Sequence, residues 1–520
     1  MIRISNIKID VLKDNEDYLI KKIEREINEK VIDYKIVKKS LDARKDIKYV
    51  YSVDINVSNE DKVLKRNKNT FKTPVEEYIL NIEGTNELNY RPVVVGTGPS
   101  GLFIGYMLSK YGYKPILIER GERIEDRVKT VSSFWKNNNL NEESNVQFGE
   151  GGAGTFSDGK LNTLVKDKSF RMKKVFEIFV ECGAPKEIIY DYKPHIGTDK
   201  LREVVINMRN KIISYGGEFR YQTKLTDLII KDNKLEGIIV NNKEEIKTNV
   251  LFLGIGHSAR DTYLVLQDRG LEMKSKPFSV GVRIIHKQED INKSLYRDYY
   301  DKLKEASYKL TYNTKDNRGV YSFCMCPGGY VVNASSEKNR LAINGMSNYK
   351  RNSGYANSAI VVSVTSKDYG EGLFDGVKFQ RELEEKAYKL GNGNIPCQRY
   401  IDFKNNKISD KIDNVCTKGN YTSCNLNDLL PDYISNSIKE AMPSFSKRIS
   451  CFEDDNSVLL GIESRTSSPI TILRDSFGES NIKGIYPVGE GAGYSGGITT
   501  SAMDGLKQVE NFVKKYKPFN

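Results

Sequence analysis

Between Val93 and Arg120 the chain reads VVVGTGPSGLFIGYMLSKYGYKPILIER, an apolar strand that breaks into a glycine turn, a helix, a second apolar strand and an acid. Gly96 permits the tight turn, Gly98 lets a ligand approach the backbone, and Gly101 lets the helix pack closely on the sheet. Pro99 and Ser100 sit in the same turn, so the helix N-terminus faces whatever phosphate binds there. Glu119 ends the second strand about 20 residues later, where a carboxylate accepts hydrogen bonds from a ribose diol, with Arg120 beside it. A plain strand-to-helix connection is the bland alternative, but strand, helix, second strand and acid all fall at the spacing of a dinucleotide-binding βαβ unit. A carboxylate at Glu119 would repel a 2′-phosphate, so FAD or NAD fits better than NADP.

A chain of 520 residues is long enough for two or three domains with ample core. Hydrophobic residues make up 38% and charged ones 29%, the pattern of a soluble globular protein. No apolar run approaches the ~20 residues of a spanning helix. The N-terminal MIRISNIKIDVLKDNED alternates apolar and polar residues and carries early acids, unlike a secretory signal, so the expected location is the cytoplasm, with no membrane partner. The net charge of +12 invites a nucleic-acid reading, yet the lysines are scattered among acids, as in KIEREINEK, and read better as a solvated surface. Seven cysteines, an odd number spread over the chain, point to reduced thiols. With three histidines and neither a CxxC pair nor HExxH, no metal site is expected.

Residues 1–88 precede the glycine motif and alternate as a small α/β module: a strand over Ile2 to Val11, a helix over Tyr18 to Asn28, strands around Tyr34 to Ser40 and Tyr49 to Val57. It reads either as a rigid cap on the main body or as a docking or gating domain. Beyond Arg120, Arg127 is expected either to reach back as a counter-charge to a pyrophosphate or to lie exposed on a helix. Gly149–Thr163, GEGGAGTFSDGKLNT, is too glycine-rich for strand or helix and reads as backbone laid against a flat ligand. Gly151, Gly152, Thr155, Phe156, Ser157 and Gly159 join the candidate cofactor set. Lys160 reads either as a charge partner for a reduced flavin or as a surface lysine.

Thr198 or Asp199 is expected to cap an amphipathic helix that Gly216 and Gly217 stop. A hairpin follows, turning at Asn241 and Asn242 in EGIIVNNKEEIKT, with Leu225 just upstream a candidate cofactor contact. Gly254, Gly256 and Ala259 then form a second glycine turn after NVLFL. It is either a separate nicotinamide-nucleotide site or, better supported by the preceding hairpin, a return strand of the first domain. Near the C-terminus GIYPVGEGAGYSGGITT repeats the pattern of strand, glycine loop and helix. Gly489 and Glu490 end the strand, where the acid can bond a sugar-alcohol hydroxyl. Gly497, Ile498 and Thr499 open a helix whose positive end favours an anion such as a reduced flavin. Two such elements far apart in sequence imply a discontinuous domain, and FAD is long enough to need both.

These features together resemble the glutathione-reductase-like FAD oxidoreductases. More narrowly, FGEGGAGTFSDGKLNT, GIGHSARDT, FCMCPGGYVVNASSE, ESRTSSP and YPVGEGAGYSGGI resemble a poorly characterised bacterial family of FAD-dependent dehydrogenases, from about Arg91 to the C-terminus. Glu490 stands where the broader group usually has aspartate. The resemblance implies an α/β fold: a discontinuous, Rossmann-like FAD-binding domain at 89–274 and 477–520, with an inserted α+β substrate domain at 275–476 covering the flavin. Within the insert, Val280 to His286, Tyr330 to Asn333 and Leu341 to Asn344 read as strands.

Cys324 and Cys326 form a CxC pair that either passes electrons through a disulfide or simply packs. Arg260 and Arg465 read as clamps for a substrate carboxylate or phosphate, or as structural ion pairs. His257 reads as a proton donor or as a helix cap. The expected activity is that of an FAD-dependent oxidoreductase transferring a hydride between flavin and a small-molecule substrate, with NAD(P)H as a transient electron donor. The alternatives are a flavin-dependent RNA-modifying enzyme and a flavin-bound scaffold or sensor. Trp135 is the single tryptophan, which argues against the paired-tryptophan flavin halogenases, and GEGAG departs from the GD pattern of aromatic hydroxylases.

Overall fold

The structure, a computed structural model, describes residues 1–44, 46–413 and 415–519. Val93–Val95 is the central strand of a five-stranded parallel sheet, in the order Ile485–Pro487, Leu251–Leu253, Val93–Val95, Ile116–Ile118, Glu218–Arg220. Leu251 sits opposite both Val93 and Ile485, so the strand before the second glycine turn is a return strand of this sheet. Alternation along each strand sends residues to opposite faces. Val94, Leu117, Phe252 and Tyr486 pack under the helices Pro99–Lys110, Thr198–Ser214 and Ile498–Val513. Val93, Ile116, Leu251 and Ile485 face a three-stranded antiparallel sheet, Leu225–Lys231, Lys234–Val240 and Glu244–Lys247. With both faces covered, the first four of these strands are apolar, while the edge strand Glu218–Arg220 carries two charged residues. The hairpin turns at Asn241 and Asn242, with φ of 53° and 57°, left-handed values that asparagine tolerates.

The chain leaves this body at Met273–Ser275 and returns at Ile470–Ile472, two strands that pair antiparallel. Between them lies a seven-stranded mixed sheet centred on Phe278–Lys287, a strand buried on both sides up to its last residue. Helices Asp375–Leu390 and Asp432–Ser446 pack on it, and a smaller sheet joins Ile343–Ser347, Gly329–Asn333 and Thr417–Lys418.

Residues 2–72 form an antiparallel sheet of four strands, Ile2–Asp10, Val31–Asp42, Lys48–Val57 and Thr70–Lys72, with helix Glu16–Ile27 capped by Asn15. The module is fastened to the body. Lys39 donates from its backbone to Tyr190 O at 2.7 Å and accepts from Tyr192 N at 2.9 Å, and Val11 and Ile47 join the insert's core. The extended chain that follows runs along the end of the C-terminal helix, where a Cβ on Gly84 would lie 2.3 Å from Tyr516 N.

One expectation is corrected here. The 198–214 helix begins after Gly197, whose φ is 76°, and has no side-chain cap. Thr198 donates its hydroxyl to Thr155 O, and Asp199 accepts from Tyr349 N at 2.7 Å. Both side chains hold neighbouring loops instead of their own helix end.

Candidate functional site

A cavity of about 420 Å³ opens between the parallel sheet and the insert. Gly96, Gly98, Pro99, Ser100, Glu119 and Arg120 line it from the first βαβ unit; Gly152, Ser157, Gly159 and Lys160 from the glycine loop; Leu225 from the antiparallel sheet; and Gly254, Gly256 and His257 from the turn after the return strand. Glu490, Gly497 and Ile498 line it from the C-terminal segment, and Cys324 and Arg465 from the insert.

Two helices point uncapped N-termini into this space. The 99–110 helix starts at Gly98 and the 498–513 helix at Gly497, neither with a side-chain cap. A Cβ on Gly98 would meet nothing nearer than Gly152 Cα at 3.9 Å, and one on Gly496 or Gly497 would meet no atom within 4 Å. Free backbone donors and the positive end of each helix therefore face open room, the arrangement that receives anions. Gly101 acts where expected: a Cβ there would lie 1.9 Å from Gly96 O, inside the turn itself.

Glu119 is buried at 5% exposure and binds four donors: Thr97 N and Oγ1 on one oxygen, Gly121 N and Gly149 N on the other, at 2.9–3.0 Å. Those bonds use every lone-pair site of the carboxylate. Glu119 thus ties the turn to the glycine loop, and a ribose hydroxyl gains a place on it only by displacing the Thr97 hydroxyl. Arg120 is held at the rim by Asp261 at 3.0 Å and by Glu143.

Arg127 fits neither expectation. It is fully buried, away from the cavity, and donates to five backbone carbonyls, those of Asn145, Val146, Gly149, Glu150 and Gly152, and to Thr155 Oγ1. Phe156 lies beneath it, with the guanidinium 4.8 Å from the ring centroid. A glycine-rich loop has no side chains with which to fold itself, and this one is wrapped around an arginine. Gly151, Thr155 and Phe156 serve that core and do not line the cavity. Nor do Gly489, which donates to Asp504, and Thr499, which donates to Leu161 O.

Arg260 and Arg465 share an ion-pair partner, Arg260 away from the cavity and Arg465 at its wall. Both grip the buried carboxylate of Glu384, Arg260 at 2.9 Å through each Nη and Arg465 at 2.8 and 2.9 Å. Arg260 also holds Glu337 at 2.7 Å and is buried away from the cavity; Arg465 reaches Ser258 and Ser336. Burial opposes the charge on Glu384, but two guanidiniums hold its carboxyl well below the usual range. Sequence reading missed Glu384, although its helix carries a trace of it: Gln380 and Glu384 fall on the buried face beside Val377, Leu383 and Ala387.

His257 does not cap the helix that follows, whose N-cap is Ala259. Its Nδ1 lies 3.2 Å from Glu490 Oε1. Lys160 remains partly exposed, 3.9 Å from Asp158, while Asp158 is buried and clasped by Arg351 of the insert. Beneath Cys324 the buried Arg283 donates to Glu463 at 2.9 Å, to Asn357 at 2.9 Å and to Cys324 O at 2.6 Å. Burial pushes Glu463 up to about 7 despite Arg283. Asp158, Glu463 and Arg283 were not foreseen, since their partners come from distant segments. Among the described residues no cluster of His, Cys, Asp and Glu could hold a metal, and no helix is long and apolar enough to cross a membrane.

Residues 277–466 match a family of domains described as FAD-dependent protein, C-terminal domain-like, and residues 1–56 match a domain of unknown function. A protein of Clostridium beijerinckii (strain ATCC 51743 / NCIMB 8052), described as uncharacterized, is 45% identical over 531 residues, spanning 99% of each chain. Among solved structures, glycine oxidase from Bacillus cereus ATCC 14579 aligns at a TM-score of 0.38 and 10% identity, over 82% of this chain and 98% of that one. Glycerol-3-phosphate dehydrogenase from Bacillus halodurans, complexed with FAD, aligns at 0.36 and 10% identity, over 82% and 64%. Scores this low carry no argument about chemistry.

Proposed function

We propose that the chain, which belongs to one family with the Clostridium beijerinckii protein, is an FAD-dependent oxidoreductase of the glutathione-reductase-like architecture, exchanging a hydride with a small molecule bound beneath the insert. The observation that carries this reading is the pair of uncapped helix N-termini opening on one cavity. One such end suits a pyrophosphate; two, contributed from opposite ends of the sequence, suit a cofactor with a second electron-rich end. The match of residues 277–466 to FAD-dependent proteins supports the same cofactor.

When bound, FAD supplies two-electron chemistry that no side chain provides. The chain's own residues supply position and charge. The Gly98 helix end holds the diphosphate, and Leu225 offers an apolar wall near Glu119. The Gly497 helix end and Lys160 stabilise negative charge at the opposite end. Glu490 accepts from a polyol hydroxyl, with His257 Nδ1 3.2 Å from its Oε1 at the cavity wall. NAD(P)H is the electron donor to test first, and the cytoplasm is the expected setting, in keeping with seven unpaired cysteines.

Purified protein should be yellow, release FAD on heat denaturation, and lose its visible absorption band on anaerobic titration with NADH or NADPH. A colourless protein that takes up no added FAD would sink the proposal. Bound FAD that no nicotinamide reduces would remove only the donor.

A further inference from the structure

Cys324 and Cys326 lie on the Gly319–Cys326 strand, where the register against Tyr355–Val364 slips between Phe323 and Cys326. Cys324 stands at the slip with φ of 44°, a left-handed value that a non-glycine residue seldom adopts. At the slip the Cys326 thiol donates to Cys324 O at 3.3 Å, which sets it beside Cys324.

The two thiols are not equivalent. Cys324 lines the cavity, whereas Cys326 is fully buried, with Arg283 Nη2 at 3.9 Å from its sulfur. The Cys326 thiol, aided by the cations Lys160 and Arg283, draws Cys324 below the usual thiol range against burial and the nearby Asp158; Glu463 is a further acidic neighbour. The same interaction with its neighbour Cys324, with burial, pushes Cys326 well up. Burial raises Cys182, Cys397, Cys416, Cys424 and Cys451 as well, so Cys324 alone departs toward the thiolate. An accessible thiolate beside a buried protonated thiol is the division of labour in thiol–disulfide exchange.

We propose that Cys324 and Cys326 are the attacking and resolving thiols of a site that reduces a small-molecule disulfide entering the cavity. The Cys324 thiolate attacks one sulfur of the disulfide, whose S–S bond breaks and releases one thiolate, leaving a mixed disulfide on Cys324. Cys326 gives up its proton to that departing thiolate and attacks the Cys324 sulfur, expelling the second thiolate. One disulfide is reduced by two electrons, and the pair is oxidised to an internal disulfide. This step goes beyond the FAD reading and does not depend on it, because the pair itself holds the electrons.

The test is a single turnover with 2-hydroxyethyl disulfide under anaerobic conditions, quenched with N-ethylmaleimide and mapped by mass spectrometry. Flavin content is read separately by absorbance, so failure of the cofactor reading and failure of the thiol reading give different results. Wild-type protein should release two equivalents of thiol per chain and form a Cys324–Cys326 disulfide, with the buried Cys182, Cys397, Cys424 and Cys451 alkylated only after denaturation. Cys326→Ser should stop at a mixed disulfide on Cys324, and Cys324→Ser should react at least about 100-fold more slowly. Wild-type protein whose Cys324 and Cys326 both remain free after exposure overturns the proposal without reference to any variant. So does a folded Cys324→Ser that reacts at the wild-type rate.

Discussion

Replacing Arg127 by methionine preserves much of the side-chain volume and deletes the guanidinium around which the glycine loop is folded. The carbonyls of Asn145, Val146 and Glu150 then lose their donor in a place water does not reach, while Gly149 O keeps Gly152 N and Gly152 O keeps the Thr155 hydroxyl. An unmet buried polar group costs about 1–3 kcal/mol, so at mid-range the three sum to about 6 kcal/mol. Removing a buried charge returns part of that, and the loop relaxes, leaving a net cost of about 3 kcal/mol. If the loss stays local, the loop opens and FAD must reorder it on binding, which at about 1.4 kcal/mol per tenfold is an affinity loss of about 100-fold. If it is shared by the whole domain, the urea midpoint falls instead. Arg127→Lys, which keeps the charge but loses the planar fork, should fall between. Urea unfolding and FAD titration of apo-protein separate the two routes. A methionine variant within about 0.5 kcal/mol of wild type and with unchanged FAD affinity would refute this account of the loop.

The glycine turn offers a paired contrast. Gly98→Ala, at an ordinary φ of −69° with room for a methyl, should fold within about 1 kcal/mol of wild type yet bind FAD at least about 100-fold more weakly, while Gly101→Ala should lose about 3 kcal/mol of stability, both read by melts and flavin titration. Glu384→Gln should cost about 3–5 kcal/mol at pH 7 by leaving two buried guanidiniums without their partner. Because the folded carboxyl titrates below its ordinary value of 4.5, Glu384 stabilises above that value, and the difference from the variant should shrink as the pH falls below it, checked by urea melts across acid pH. Glu463 has the opposite sign. Its folded value is raised to about 7, so its contribution is complete below about 4.5 and lost as pH rises through about 7, and Glu463→Gln should flatten the stability profile across that window.

The parts of the fold written in consecutive residues were readable in the sequence: the 93–120 unit, the Asn241–Asn242 hairpin, the return strand before Gly254 and the Gly497 helix start all depend on local steric and apolar pattern. What escaped depends on which segments meet. An arginine on a helix looks the same whether it faces water, a phosphate or a ring of carbonyls, and Arg127 was misread for that reason. Arg260 and Arg465 carried the chemistry of an anion clamp, but Glu384, more than 80 residues from either in the Arg465 direction and further from Arg260, already occupies them. Cys324 and Cys326 were visible as a pair, whereas the slipped register and Arg283 beneath them were not. Glu119 stands at the strand end and cavity wall where the spacing put it, but its four internal bonds, which fasten the turn to the glycine loop, were not legible.

The strand order of the parallel sheet also bears on how the protein is made. Ile485–Pro487 pairs with Leu251–Leu253, which pairs with Val93–Val95, and Gly505 of the last helix approaches Ser100 so closely that a Cβ would lie 2.7 Å from its carbonyl oxygen. During synthesis the turn at Gly96 leaves the ribosome some four hundred residues before the helix that presses against it. Until then one edge of the sheet and the apolar face of the Pro99–Lys110 helix are uncovered, and contacts this distant in sequence form slowly. The insert can mature while the nascent chain waits. Cofactor capture is therefore expected only once residues 485–513 have emerged, and a ribosome-stalled chain lacking them should bind no flavin.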